Sequence, residues 1–445
     1  MKVMRLKPLL IMISFLLVAG WTIGQTVKID GVIRPRAEFK NGYKLLPQNY
    51  SEAAFSVSQR TRFNALYSSK DFKAFISAQD IRVWGDINQL DKGDYNRFSL
   101  HQAWGEYFFN EKTSLKVGRQ ELVYDDSRIF GNVGWAQQAR AHDVALLKIE
   151  NKNLKAHVGM AFNQKTDALF GNDYYASMSN GVYTMNKNYK SMQFVWLHTK
   201  IGKAGLSFLV LNNGVETVKN AATAEFETVY SQTLGARFTP TLGPAKIATA
   251  FYYQTGNVGN DATKLSALYF ALEAAIKAAE NTTVVAGFEY LSGTSLKDKA
   301  DNPTEMKSFT PLYGTNHKFN GHMDYFFVGN HGNNVGLVDM YATLKIKANK
   351  WSFSATPHYF LAAADVNKSA ADNYAIMDKG LGLEIDMAVT YAAQKNMKFQ
   401  LGISEMFGTE TLGYLQGNTN TDNYKKNGTW AYLMLTFSPN FYISK

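Results

Sequence analysis

Residues 27–39 alternate without a break. Val27, Ile29, Gly31, Ile33, Pro35, Ala37 and Phe39 share one face, and Lys28, Asp30, Val32, Arg34, Arg36 and Glu38 share the other. Side chains of an extended chain alternate with a period of two, so this segment predicts a strand with one oily and one charged face. Residues 55–67 repeat the pattern, with Phe55, Val57, Phe63, Ala65 and Tyr67 opposite Ser56, Ser58, Arg60, Arg62 and Asn64. Residues 154–162 and 381–391 do the same. Carried along the chain, the pattern predicts about 18 strands: 27–39, 55–68, 71–84, 98–110, 113–123, 141–151, 153–163, 190–201, 204–213, 229–240, 244–256, 264–279, 282–293, 335–348, 350–363, 379–393, 396–407 and 428–441. In 264–279, Leu265, Leu268, Tyr269, Leu272 and Ile276 also fit a helical stripe. Losing it would leave an odd count, which favours a strand.

The connections alternate in length. Short ones are expected near 69–70, 111–112, 152, 202–203, 241–243, 281, 349 and 395. Long polar ones are expected at 40–54, 85–97, 124–140, 164–189, 214–228, 257–263, 294–334, 364–378 and 408–427. Tight turns at one end and long loops at the other describe an outer-membrane barrel. Most of the strands reach the roughly 9–11 residues that a tilted strand needs to cross a bilayer. Lipid offers no hydrogen-bond partners, so a membrane sheet must close on itself. The expected fold is therefore all-β: one closed antiparallel transmembrane β-barrel with short periplasmic turns and long extracellular loops. Its oily faces point out and its polar faces line a lumen. Tyr67, Tyr107, Phe109, Tyr252 and Tyr253 suit interfacial girdles. A large soluble secreted β-protein is the alternative reading of the same alternation.

The first 24 residues carry Lys2, Arg5 and Lys7, then an apolar run over 8–23, then Gly24. That layout predicts a cleaved signal peptide over 1–24 and a single barrel domain over 25–445. The expected location is the outer membrane of a Gram-negative bacterium, with outer-membrane lipid as partner.

Composition narrows the chemistry. There is no cysteine, which excludes disulfides, thiolate metal sites and a cysteine nucleophile. The net charge is +10, three units of which lie in the leader. Lysine is dispersed and no basic, aromatic-interleaved module stands out, so nucleic acid is not an expected partner. Arginine is not dispersed. Of 11 arginines, nine lie between Arg34 and Arg140: Arg34, Arg36, Arg60, Arg62, Arg82, Arg97, Arg119, Arg128 and Arg140. Only Arg237 lies beyond. Alternation puts Arg34, Arg36, Arg60 and Arg62 on the polar faces of neighbouring strands, as one cationic patch on the lumen wall. Guanidinium groups bind carboxylates through paired planar hydrogen bonds, so such a wall suits an anion-selective pore. Asp30, Glu38, Asp80, Glu106, Glu121, Asp125, Asp126 and Asp143 occupy the same region, and ion pairs that brace the barrel are the competing reading. Counting from Leu115 and Val117 places Arg119 on the oily face unless a bulge intervenes or it lies beyond the hydrocarbon zone.

Gly118, Arg119 and Gln120, then Asp126, Ser127 and Arg128, then Gly131, Trp135, Arg140 and Asp143 resemble the core signature of the alginate export family. The stretch from Gln79 to Gly85, and Ser292, Gly293, Leu312, Tyr313, His317, Gly321 and Asp324 resemble further family stretches. The resemblance implies an 18-stranded outer-membrane barrel whose arginine-lined lumen passes an anionic polysaccharide, and the expected function is a channel for anionic solutes such as acidic polysaccharide or uronate-type oligosaccharide. It implies pathway roles for Arg34, Arg36, Arg60, Arg62, Arg82, Arg119, Arg128 and Arg140. It makes Asp30, Glu38, Asp80, Glu106, Asp126 and Asp143 their acidic partners. A general porin and a barrel scaffold for adhesion are the alternatives.

Other chemistry leaves little trace. The chain has no G-x-S-x-G, H-E-x-x-H, P-loop or G-x-G-x-x-G motif, and no cofactor is expected. His317, His322 and His331 share the longest loop with Asp324; hydrogen bonding within the loop is a commoner role for such residues than metal binding. An embedded hydrolase would draw on His198 or His358.

Overall fold

The computed structural model describes residues 24–90, 98–167, 169–171, 177–179, 182–184, 188–220, 225–315, 317–331, 334–418 and 420–444. Residues 1–23 of the leader predicted over 1–24, and Arg97, lie outside the described residues.

Eighteen strands form the wall. They are β1 Thr26–Asn41, β2 Ala54–Ser68, β3 Phe72–Val83, β4 Phe98–Asn110, β5 Thr113–Gln120, β6 His142–Glu150, β7 Leu154–Phe162, β8 Ser191–Ile201 and β9 Ala204–Asn220. There follow β10 Glu225–Thr239, β11 Ala245–Val258, β12 Asn260–Ala279, β13 Thr282–Leu291, β14 Leu337–Ala348, β15 Trp351–Leu361, β16 Gly380–Gln394, β17 Met397–Gly408 and β18 Asn427–Phe437. Each pairs antiparallel with its sequence neighbours. β18 pairs with β1 from Ile33↔Phe437 to Asn41↔Thr429, and Asn440–Ile443 continues along the start of β1. The sheet closes and keeps no edge, as lipid requires. The ambiguous alanine-rich segment is strand β12, paired along its length with β11 and β13.

Alternation decides inside from outside. Ile33, Phe63, Ile76 and Val117 are exposed on the outer face, while Arg34, Arg60, Ser77 and Glu106 are buried on the inner one. Tyr107 and Phe109 stand exposed near a short turn, as a girdle needs. Tyr252 does not join them. It is 2% exposed and packs inside against Tyr269, because its register places it on the lumen face.

Two of the expected long loops are tight. β9 and β10 run on to Asn220 and Glu225, and β11 and β12 to Val258 and Asn260, so 214–228 and 257–263 are mostly strand. Past the lipid both faces meet water or loops, so the ladder continues without the alternation that would reveal it. Strand length accordingly varies, from 8 residues in β5 to 20 in β12.

Candidate functional site: the loop-filled lumen

The cationic patch forms as alternation requires. Arg34 stands opposite Arg60 across β1 and β2, and Arg62 stands opposite Gln79 across β2 and β3. The loop between β5 and β6, residues 121–141, turns into the lumen and meets this wall with backbone carbonyls. Arg34 donates to the Gly134 and Trp135 carbonyls at 2.9 Å each and to Gln137 Oε1 at 2.9 Å. Arg36 donates to the Trp135 carbonyl at 2.9 Å, pairs with Glu38 at 3.1 Å and lies 4.3 Å over the Trp135 ring. Arg60 donates to the carbonyls of Ala136 and Gln137. Arg62 holds Gln79 Oε1 at 2.7 Å, with Glu121 at 3.9 Å. Carbonyl dipoles satisfy the N–H groups without cancelling the charge. The patch therefore stays electropositive while it anchors the loop.

A second loop, residues 292–336, crosses the lumen from the other side. It interlocks with the first: Gly131 N donates to Tyr313 O at 2.8 Å, Thr315 N to Ser127 O at 2.9 Å, and Arg140 Nη1 to Gly314 O at 2.8 Å. Arg128 is buried at the junction. It pairs with Glu289 at 3.1 Å, donates to Asn320 Oδ1 at 3.0 Å, and lies over the rings of Phe319 and Tyr269 at 4.6 and 5.1 Å. The far wall is acidic. Glu384 accepts from Met323 N at 2.8 Å and Asp386 from His322 N at 3.1 Å. Gly321 makes that approach possible: its φ is +83°, and a Cβ there would sit 2.5 Å from Glu384 Oε1.

His317 stacks between Trp135 at 4.0 Å and His322 at 4.7 Å and lies 3.7 Å from Asp324. Burial works to raise the Asp324 carboxyl, but the neighbouring His317 imidazole and a hydrogen bond from Tyr43 outweigh it and hold it below its usual range. Burial pushes the His322 imidazole down to about 4, against the pull of Asp386.

Several sequence expectations need correction. Arg82 and Asp80 pair with each other at 2.6 Å, but the register sets them opposite Gln59 and Thr61 on the outer face. Arg119 and Asp143 pair at 2.8 Å and also face outward, beside exposed Val117. A cation and an anion paired on one face, across a rung or two residues apart on a strand, can neutralise one another at the end of a strand, so parity overrides charge here. These four residues do not line the lumen. Asp30 and Glu106 do face inward, but they hold Lys28 at 2.8 Å and Lys148 at 2.9 Å rather than arginines. Asp126 reaches Arg237 at 3.0 Å instead of the Arg128 guanidinium. Arg237 was legible only by parity, since it shares the inner face of β10 with Thr233 and Gly235.

Two cavities open beneath the loops, towards the short-turn end. One of about 350 Å³ is bounded by Lys318, His322, Glu273, Lys345 and Arg237. The other, of about 400 Å³, lies beside Lys155, Lys200, His198, Trp196 and Arg237. The hydrolase candidates can be placed too. His198 Nδ1 is 2.9 Å from Ser207 Oγ, but Asp125 accepts from that same Ser207 at 2.6 Å rather than orienting the histidine. The relay that would activate a serine is therefore not assembled. His358 contacts Asp339 at 2.9 Å and lies 3.7 Å from Asp386. Among the described residues no group of three His, Cys, Asp or Glu side chains is spaced to hold a metal.

No curated protein sequence matches the chain. Solved porin structures match its fold. OccAB4 of Acinetobacter baumannii is 11% identical, with a TM-score of 0.61 over 95% of this chain and 100% of that one. OccK8 (OprE) of Pseudomonas aeruginosa is 9% identical, with a TM-score of 0.60 over 94% and 98%. OccK2 (OpdF) of the same organism, solved in complex with glucuronate, is 11% identical, with a TM-score of 0.59 over 94% and 98%. The sequence model of the family described as alginate export matches residues 26–424. With a closed 18-stranded wall and a match across nearly all of it, this chain belongs to the alginate export family of outer-membrane barrels.

Proposed function

We propose that the protein is a passive channel for small acidic solutes of the uronate type, working in the outer membrane after removal of the leader over 1–24. The observation that carries this reading is the wall of Arg34, Arg36, Arg60 and Arg62, where, among the described residues, only Arg36 has a carboxylate partner closer than 3.5 Å. An anion passing this wall meets positive charge held in place by hydrogen bonds, which attracts without trapping. The glucuronate bound in the OccK2 structure is consistent with such a solute. Two loops cross the lumen, and the spaces beneath them are of monosaccharide scale, which favours a small solute over an extended polysaccharide. Acidic residues on the opposite wall, Glu289, Asp339, Glu384 and Asp386, favour a second reading, a general porin with weak charge preference.

Reversal potentials in planar bilayers under a salt gradient separate the two. The wild-type pore should prefer anions, and Arg60→Ala with Arg62→Ala should remove the preference. A wild-type pore that prefers cations, or one that shows no preference, refutes the arginine argument.

A further inference from the structure

The larger cavity has a composition that the arginine wall does not explain. Its inner-face row runs across three rungs: Lys155 opposite His198, His198 opposite Ser207, and Ser207 opposite Arg237. Lys200 and the turn residue Lys152 complete its cations. Among the described residues, four basic side chains thus bound a space with one carboxylate, that of Asp125. That carboxylate is already engaged. It accepts from Ser207 Oγ at 2.6 Å and from Trp196 Nε1 at 3.1 Å, and burial pushes its carboxyl above the usual range. The His198 ring lies nearly parallel to Trp196, 10° between planes, and gives the cavity a flat side. About 400 Å³ falls at the small end of ligand pockets, which span roughly 300–1,000 Å³.

We infer that this cavity is a periplasmic-side binding site for a single anionic pyranose, with the sugar carboxylate among Lys155, Lys200 and Arg237 and a ring face against His198. Charge-assisted hydrogen bonds from ammonium and guanidinium groups supply the selectivity for the anion. The flat imidazole–indole side selects a ring over a compact ion. Arg237 borders the second cavity as well, and its pairing with Asp126 stands between the two spaces. A solute passing from that cavity to this one therefore passes Arg237, which borders both. The inference deepens the proposed channel function, because the same acidic solute would cross the arginine wall and this site in turn.

The test uses the full barrel in detergent and in oriented bilayers, with D-glucuronate, D-glucose and inorganic phosphate as probes. Isothermal titration should show glucuronate binding at least ten-fold tighter than either glucose or phosphate. Lys155→Ala with Lys200→Ala should weaken it at least ten-fold, and Lys155→Arg with Lys200→Arg should restore it. In bilayers, glucuronate added on the short-turn side should interrupt current at lower concentration than on the loop side. Equal binding of glucose overturns the inference, since charge would then play no part. Equal binding of phosphate overturns the pyranose assignment, as does unchanged affinity in the alanine pair. If Arg60→Ala with Arg62→Ala leaves ion preference intact while the lysine pair abolishes binding, the site stands and the channel reading falls. The opposite pattern removes the site and keeps the channel.

Discussion

Replacing Arg128 with alanine should release the loop over 292–336 from the lumen. The guanidinium is 2% exposed, pairs with Glu289 at 3.1 Å and donates to Asn320 at 3.0 Å. Asn320 in turn donates to Glu289 at 2.8 Å and Asp339 at 3.1 Å. Removing the cation leaves Glu289 buried without its counter-charge, and Asp339 loses a nearby positive charge. Breaking one partner of a buried pair costs about 3–5 kcal/mol. At about 1.4 kcal/mol per factor of ten, the docked loop loses roughly 10²–10⁴ in its equilibrium with a released form. The wall itself is held by strand pairing and should persist, so strand content by circular dichroism stays constant. Two readouts follow the loop: single-channel conductance, which should rise and become noisier, and trypsin cleavage at Lys307 and Lys318, which should accelerate. Arg128→Met with Glu289→Leu removes both charges together and should recover most of the docking, because replacing a whole buried pair by apolar groups is often nearly neutral. Unchanged conductance and cleavage in Arg128→Ala would refute the assignment of Arg128 as the anchor.

Three further outcomes are expected. Arg119→Ala and Arg82→Ala should leave ion preference in bilayers unchanged, because both side chains face outward; a loss equal to that of the Arg60 and Arg62 pair would contradict the register. Gly118→Ala should reduce folding yield and cost about 1–3 kcal/mol in urea titration, since φ is +122° and a Cβ would lie 2.3 Å from the Ala103 carbonyl oxygen. Acid should loosen the loops: His322 is held neutral with its pKa near 4, below the ordinary value of 6.5, so its contribution is complete above pH 6.5 and is lost as pH falls towards 4. Asp324, with its carboxyl also depressed, acts in the same direction at lower pH. Conductance should therefore rise between pH 7 and 4.5, and His322→Gln should flatten that rise.

The wall was legible because lipid outside and water inside impose a period of two on every crossing strand. Leu268, Phe270 and Leu272 obey it in β12 despite the alanines around them. The same rule located Arg119 on the oily face, while the family resemblance implied a place for it in the pathway; the register follows the rule. Arg237 sat on an inner face throughout, but a lone arginine in a lysine-scattered region gives no contrast. What alternation cannot encode is which loop carbonyl meets which guanidinium. The contact of Arg34 with Gly134 joins residues 100 apart, and nothing periodic connects them. Cross-strand choices such as Glu106 with Lys148 rather than arginine depend on register, which one sequence does not specify.

The unequal strands give the cylinder a sloping crown. At about 3.3 Å per residue and a tilt of roughly 40°, the eight residues of β5 climb only about 20 Å, close to the apolar band of about 25 Å that such barrels present. The twenty residues of β12 climb about 50 Å. β12 therefore rises some 25 Å beyond the apolar band and β9, β10 and β11, with 17, 15 and 14 residues, about 10–20 Å, while the strands β5 to β7 end close to the lipid headgroups. The part of the wall that meets solvent beyond the lipid is therefore concentrated on the β9 to β12 side.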